Sequence, residues 1–266
     1  MINQNTMISP QVSEPADGAR PSQHVWQRCL DIKNDSEGNY HGYFNPQLLN
    51  VLAHPPRRLL DIGCASGILG KYVKDTTPGA HVTGIEPNQA AANAAKANID
   101  VALCGKFEDF DLVKEGIAHG SIDTVVAADV LEHMYDPWHT LVNLKPYLSQ
   151  DAQLIISIPN SRHINLIAKL ADGGMWTYEE RGLLDITHIR FFTLKEMAAM
   201  LQKTGYRLEL VSHFLDPSFQ EFYEAAKNKP QINIRVGRMS LEGITTQDLT
   251  ELCTWQFFMR ARPVWA

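Results

Sequence analysis

Hydrophobic positions along this chain change period many times, and each change marks an element. Leu59-Leu60 before Asp61 is a short apolar run; Gly63 to Gly67 is a glycine-rich turn; apolar positions at helical spacing follow. That order predicts strand, tight turn, helix. His81 to Glu86 predicts a second strand with an acid at its C-terminal end. Gln89 to Asn98 is alanine-rich and predicts a helix. Val101 to Cys104 predicts a third strand. Ile122 to Asp129 predicts a fourth, apolar enough for burial on both faces of a parallel sheet.

The alternation continues. Asp136 caps a predicted helix over Pro137 to Leu148, and Gln153 to Pro159 reads as a fifth strand. Ser161 to Leu170 predicts a helix. Thr193 caps another over Leu194 to Thr204, with Met197, Met200 and Leu201 inward and Gly205 as its stop. Tyr206 to Leu215 is a sixth strand, Phe219 to Lys227 a helix, and Leu252 to Arg262 a last strand. Strands alternating with helices define an α/β chain.

Three stretches stand outside this rhythm. Residues 1–21 are polar with three prolines and are expected to form a disordered tail, leaving 22–266 as one domain. Ser22 to Ile32 predicts a short helix, and Tyr40 to Phe44 is an aromatic knot before a helix capped by Asn45 with Pro46 first. Asp172 to Arg190 interrupts the alternation with Gly173-Gly174-Met175-Trp176-Thr177-Tyr178 and Asp185-Ile186-Thr187-His188-Ile189-Arg190-Phe191-Phe192. Segments of this length inside a domain usually carry function, and a lid is expected. Asn228 to Arg238 reads as an irregular basic stretch, with Lys229, Arg235 and Arg238 either solvated or facing an anionic group.

Composition narrows the function. The 266 residues are 44% hydrophobic, enough for one α/β core with decorations. A net charge of −6 argues against a nucleic-acid or membrane-binding surface. No apolar run approaches the ~20 residues of a membrane span, and the N-terminus lacks the basic and apolar regions of a signal peptide. A cytoplasmic location is the expectation. Cys29, Cys64, Cys104 and Cys253 are scattered and suggest neither disulfides nor zinc.

The chemistry gathers at the glycine turn. Glycines there permit positive φ and close approach of a ligand to the main chain, and the N–H groups opening the next helix face that ligand. Glu86, about 20 residues on, is placed to accept hydrogen bonds from two ribose hydroxyls. A dinucleotide site wants G-x-G-x-x-G; this chain has Asp61, Gly63 and Gly67 with Ala65 at the second glycine position. LLDIGCASG followed by GIEPN resembles the cofactor site of class I S-adenosylmethionine (SAM) dependent methyltransferases, over roughly Tyr40 to Tyr206. The segment from Asp129 through Val130-Leu131-Glu132-His133 resembles the D-V-L-E-H of small-molecule members. D-x-T-H-x-R-F-F resembles a subgroup linked to glycan or other sugar modification.

The resemblance implies a Rossmann-like doubly wound sheet of seven strands, mostly parallel, the last antiparallel in a hairpin with the sixth, plus N-terminal helices and the lid. SAM would be the cofactor. Asp61 would brace the loop, and Gly63, Cys64, Ala65 and Gly67 would approach the methionine part. Glu86 would hold the ribose, with Pro87 beside it. Phe107 and Glu108 would sit at the adenine, although Lys106 occupies a position where the family often has an acid. Ala128, Asp129 and Val130 would line the floor, and Tyr40 or Tyr43 would close over it. For an acceptor hydroxyl the base candidates are His133, His188 and Asp129, with bracing of the loop or lid as the alternative for both histidines. Asn160, Trp176, Tyr178, His188 and Arg190 would face the acceptor. No carboxylate cluster stands out, so no metal is expected. The expected partner is a small-molecule or glycan acceptor; exposed Trp and Tyr residues would form the lid or a homodimer face. An NAD-dependent oxidoreductase, an N-methyltransferase and a non-catalytic SAM-binding protein remain as alternatives.

Overall fold

A computed structural model describes residues 42–265. The expected tail, the helix over 22–32 and Tyr40 lie outside the described residues. The first element among the described residues is a 3-10 helix at Pro46–Val51, where the Asn45 side chain accepts the Gln47 N–H. The strands β1 (Arg58–Ile62), β2 (His81–Glu86), β3 (Val101–Cys104), β4 (Ile122–Ala128), β5 (Leu148–Pro159), β6 (Tyr206–Leu215) and β9 (Thr254–Pro263) form one sheet. Their order is β3-β2-β1-β4-β5-β9-β6. Strand β9 is antiparallel to both its neighbours, and the remaining pairs are parallel. This is the expected Rossmann-like seven-stranded sheet.

Alternation along the central strands builds the two faces. Leu60, Ile62, Val125, Ala127, Leu154 and Ile156 face helices α3 (Pro137–Leu144) and α5 (Leu194–Lys203), which present Leu141, Leu144, Met197, Met200 and Leu201. The intervening Leu59, Val126 and Ile155 face α1 (Ile68–Thr76) and the 3-10 helix, through Leu69, Val73, Leu48 and Val51. Helix α2 (Gln89–Ala95) joins that face through Ala95. Register aligns Ile62 with Ile85 and Ala127, and Ala128 with Ser157. The C-terminal ends of β1, β2, β4 and β5 thus form one rim. The chain reverses direction across the sheet between β1 and β4, the place where open α/β sheets bind ligands.

Local departures from expectation have local causes. Helix α3 stops at Leu144 and a 3-10 turn, Lys145–Tyr147, carries the chain into β5; Pro146 has no N–H to continue the α-helix. Helix α4 (Ile164–Ala171) starts three residues late because Asn160 and His163 hold the preceding turn, accepting the Arg162 and Asn165 N–H groups.

The last two strands are not a simple hairpin. Residues 216–253 intervene as α6 (Gln220–Ala226), β7 (Ile232–Val236), β8 (Met239–Ile244) and α7 (Thr246–Cys253). The stretch expected to be irregular and basic is thus largely a strand and turn. Ile232, Ile234 and Val236 alternate onto a small core with Ile244, Leu249 and Leu252. Arg238 lies in the β7–β8 turn and is taken by Asp172, through Nε to Oδ1 at 2.8 Å and through a guanidinium nitrogen to the backbone oxygen at 2.5 Å. Arg238 is thus paired within the chain while its side chain stays largely in solvent, as the solvated reading expects.

Candidate functional site

The glycine loop is fixed by hydrogen bonds to β2. Gly63 and Cys64 donate their N–H groups to the Ile85 carbonyl at 2.8 and 3.1 Å, and Gly67 donates to the Cys64 carbonyl at 2.8 Å. Gly63, Ala65 and Gly67 all have positive φ, +75°, +49° and +77°. For Ala65 that is an uncommon backbone state. Gly63 is required for space as well: a Cβ there would stand 2.4 Å from Val130 Cγ2.

Glu86 closes the loop from the other side. Its Oε2 accepts the Ala65 N–H at 2.9 Å and its Oε1 accepts the Asn88 N–H at 2.8 Å. Asp61 is buried close by, and burial, followed by the Glu86 charge, pushes its carboxyl up to about 7. Burial and the same two acids push the Cys64 thiol up, which removes it as a nucleophile. A bare main chain beside two acids suits a ligand with ribose hydroxyls and positive charge, and SAM carries both. The residues present fit that cofactor.

Where the resemblance would put the adenine, Phe107 is buried, and the Lys106 N–H goes to Asp109 Oδ2 at 2.8 Å. Glu108 Oε1 accepts from Thr140 Oγ1 at 2.6 Å, so this acid braces α3. Pro87 is exposed on the rim. Tyr43 projects into solvent, 69% exposed, and the neighbouring Phe44 is the ring that packs, against Tyr72 of α1. Closure by Tyr43 over the cofactor is not the arrangement found.

Beyond Ala128, Asp129 turns the chain out of β4 with φ +54°. Its Oδ1 accepts from Ser157 Oγ at 3.0 Å and from Gln256 Nε2 at 2.6 Å. Solvent reaches Asp129, yet protein crowds round its carboxyl and pushes it above the usual range, against the two hydrogen bonds. Gln256 had no signal in the sequence; it arrives because β9 pairs with β5, opposite Pro159.

The 172–190 segment is pinned to the loop after β4. The Glu132 carbonyl accepts both the Ile189 and Arg190 N–H groups, at 2.9 and 3.0 Å. His133 Nδ1 lies 3.1 Å from the Thr187 carbonyl and 3.0 Å from Thr187 Oγ1. Thr187 Oγ1 gives its own proton to Asp185 Oδ1 at 2.7 Å, so His133 Nδ1–H is the donor to both Thr187 oxygens. His188 is buried, its ring edge-on to His133 with centroids 4.9 Å apart and its Nδ1 3.4 Å from the Leu183 carbonyl. Arg190 donates to the Tyr135 carbonyl and lies over the Tyr135 ring at 5.3 Å. Trp176 packs on Phe191 and joins Leu166, Leu183, Leu184 and Trp255; Tyr178 is exposed.

Of the expected acceptor residues, Asn160 does not face a pocket. It is fully buried, and its Nδ2 donates to the Glu251 and Thr254 carbonyls at 2.7 Å each. Its work is to tie β5 to the end of α7. The neighbouring Arg162 does the same, reaching Asp248 and Glu251 at 2.7 Å each.

Glu132, part of the D-V-L-E-H segment and without a role predicted from sequence, is 1% exposed. Neither carboxylate oxygen has a hydrogen-bond partner. Burial, then the Asp129 charge, raises its carboxyl well above the usual range. One ligand atom from each of Glu132, His133 and His188 lies within 4.8 Å of the others.

A crossover-switched sheet, a glycine loop under a strand-terminal acid and a shaped floor after β4 define a class I methyltransferase. The chain belongs to the methyltransferase domain family, whose model matches residues 37–211, and SAM is its cofactor. The ubiquinone biosynthesis O-methyltransferase of Aromatoleum aromaticum is 28% identical over 172 residues, 62% of this chain and 71% of that protein. The malonyl-[acyl-carrier protein] O-methyltransferase of Anoxybacillus flavithermus is 25% identical over 41% of this chain and 42% of its own length. The structure of the plantazolicin methyltransferase BpumL with S-adenosylhomocysteine (SAH) shares the fold, with TM-score 0.53 and 19% identity over 92% of both chains.

Proposed function

We propose that this methyltransferase acts on a hydroxyl of a small polar acceptor, a sugar, glycan or natural product. The observation that supports it best is the gathering of Asp129, His133 and His188 under the 172–190 segment, at the end of β4. A neutral amine needs little beyond alignment, whereas a hydroxyl gains about 10²–10⁴-fold from a base. A site that collects a carboxylate and two imidazoles suits the hydroxyl.

When bound, SAM supplies a methyl group on a sulfonium, an electrophile that needs no activation by protein. Gly63, Ala65 and Gly67 would offer bare main chain to it, and Glu86 would hold its ribose. Asp129 keeps one carboxylate oxygen on Ser157 and Gln256 and uses the other as proton acceptor. Glu132 and Thr187 hold the 172–190 segment down, which excludes water and keeps the acceptor in line; such alignment is worth several kcal/mol. In this reading His133 is a positioning residue and His188 lines the acceptor side. Two relatives carry O-methyltransferase names, which agrees with an oxygen acceptor. The cytoplasm is the location this reading assumes; no helix among the described residues is long and apolar enough to cross a membrane.

The test is calorimetric titration of the full chain with SAM, SAH and NAD, followed by an acceptor screen that starts with sugars. Binding of SAH at micromolar concentration and methylation of a hydroxyl compound are expected. Binding of NAD alone, or turnover confined to amines, would overturn the reading.

A further inference from the structure

Two motifs 55 residues apart meet in one place. The L-E-H after β4 supplies Glu132 and His133, and the T-H of the 172–190 segment supplies His188. Their ligand atoms lie within 4.8 Å of one another. At the centre is a carboxylate, 1% exposed, whose two oxygens accept nothing. A buried, unpaired carboxylate is costly unless a cation or a proton neutralises it.

The histidines are held in the manner of metal ligands. His133 Nδ1–H is directed to the Thr187 oxygens, and His188 Nδ1 to the Leu183 carbonyl. Backbone carbonyls at Nδ1 fix each ring in place, the usual support behind a ligating imidazole. Thr187 is in turn held by Asp185, through its N–H at 2.8 Å and its hydroxyl at 2.7 Å. The Glu132 backbone completes the frame by binding residues 189 and 190.

We propose that Glu132, His133 and His188 bind one divalent first-row transition ion, with an open position toward the acceptor. No metal is expected from the sequence because it holds no carboxylate cluster; a set with one carboxylate and two imidazoles, split across the chain, has no such signature. Two imidazoles favour zinc or iron over magnesium, which prefers oxygen donors, with manganese between them. Two histidines and a glutamate are a known zinc set with a free fourth position. Ligand atoms on one such ion stand about 3–4 Å apart, so shifts of about 1 Å would complete the shell.

The ion's role rests on the hydroxyl reading above. A coordinated hydroxyl is acidified by the ion. Its O–H bond breaks, the electron pair stays on the oxygen bound to the ion, and the proton goes to Asp129 Oδ2 and on to solvent. The acceptor class follows: a hydroxyl with room to coordinate at the one open position.

The experiment uses full-length protein stripped with chelator and dialysed, then titrated with Zn²⁺, Mn²⁺ and Mg²⁺. Wild type, Glu132→Gln and His188→Ala are compared, with Tm read at each addition and SAH affinity as the check on folding. One equivalent of Zn²⁺ or Mn²⁺ should bind and raise Tm, and Co²⁺ should give a low-coordinate absorption band. All three signals should vanish in both variants while SAH affinity stays within twofold. Binding that survives in the variants, or no binding at all, overturns the site; should Glu132→Gln instead raise Tm without metal, the carboxyl is simply a protonated core acid. Metal bound without methylation of any hydroxyl leaves the site standing and sinks the acceptor reading. Hydroxyl methylation by metal-free protein does the reverse.

Discussion

Gly63 and Val130 are in contact across 67 residues of sequence: a Cβ on the glycine would lie 2.4 Å from Val130 Cγ2. The loop after β1 and the loop after β4 therefore pack directly against each other at this point. Gly63→Ala meets both that clash and a positive φ of +75°. It is expected to destabilise the fold by about 2–3 kcal/mol and weaken SAH at least tenfold. Adding Val130→Ala should recover only the steric share; a denaturant-melt double-mutant cycle measures it, and full recovery would mean the backbone strain is negligible.

Glu86 joins the same loop through the Ala65 N–H. Hydrogen bonds to a charged group are worth about 1.5–3 kcal/mol. Glu86→Ala is expected to weaken SAM and SAH by about 10–100-fold in calorimetry and to lower Tm, because Ala65 and Asn88 lose their acceptor. Unchanged SAH affinity would remove Glu86 from the site.

Asp61 predicts a pH dependence. Its folded pKa, about 7, stands above its ordinary value because of burial and Glu86. Its contribution to stability is therefore fully present below about pH 4 and is lost as pH rises through 7. Asp61→Asn should flatten that fall, which is about 3–4 kcal/mol. Urea melts of both proteins from pH 4 to 8 give the comparison, and parallel profiles would contradict it.

Arg162 bridges Asp248 and the buried Glu251. Arg162→Ala strands that glutamate and is expected to cost about 3 kcal/mol, whereas Asp248→Asn costs less because Asp248 is half-buried and Glu251 fully so. Arg162 and Thr245 hold Asp248 down to about 2. Its contribution is therefore present above the ordinary carboxylate pKa and fades as pH falls toward 2. Equal losses in the two variants by thermal melts would refute the ranking.

Much of the sheet was legible because its signals are local. Leu59-Leu60, Val101 to Cys104 and Tyr206 to Leu215 carry their strand character in a few residues, and Glu86 falls at a fixed distance from the glycine turn. The 216–253 insertion was less so: Ile232, Ile234 and Val236 alternate, but Lys229, Arg235 and Arg238 around them read as loop. Asn160 misled because a polar residue at a strand end normally faces the ligand rim, and only the arrival of α7 turns it inward. Gln256 and the meeting of Glu132 with His188 are products of tertiary pairing, which no local pattern encodes.

Strand β9 sits between β5 and β6 although it comes last in sequence. When β6 emerges, the strand it pairs with among the described residues has not been made, and β5 waits with one edge bare through residues 216–253. Hydrophobic strands with unpaired edges invite association with other chains. The order of synthesis thus leaves two adhesive edges in the half-made protein. A chain cut after residue 253, which keeps both edges bare, should aggregate at lower concentration than the full chain, with light scattering as the readout.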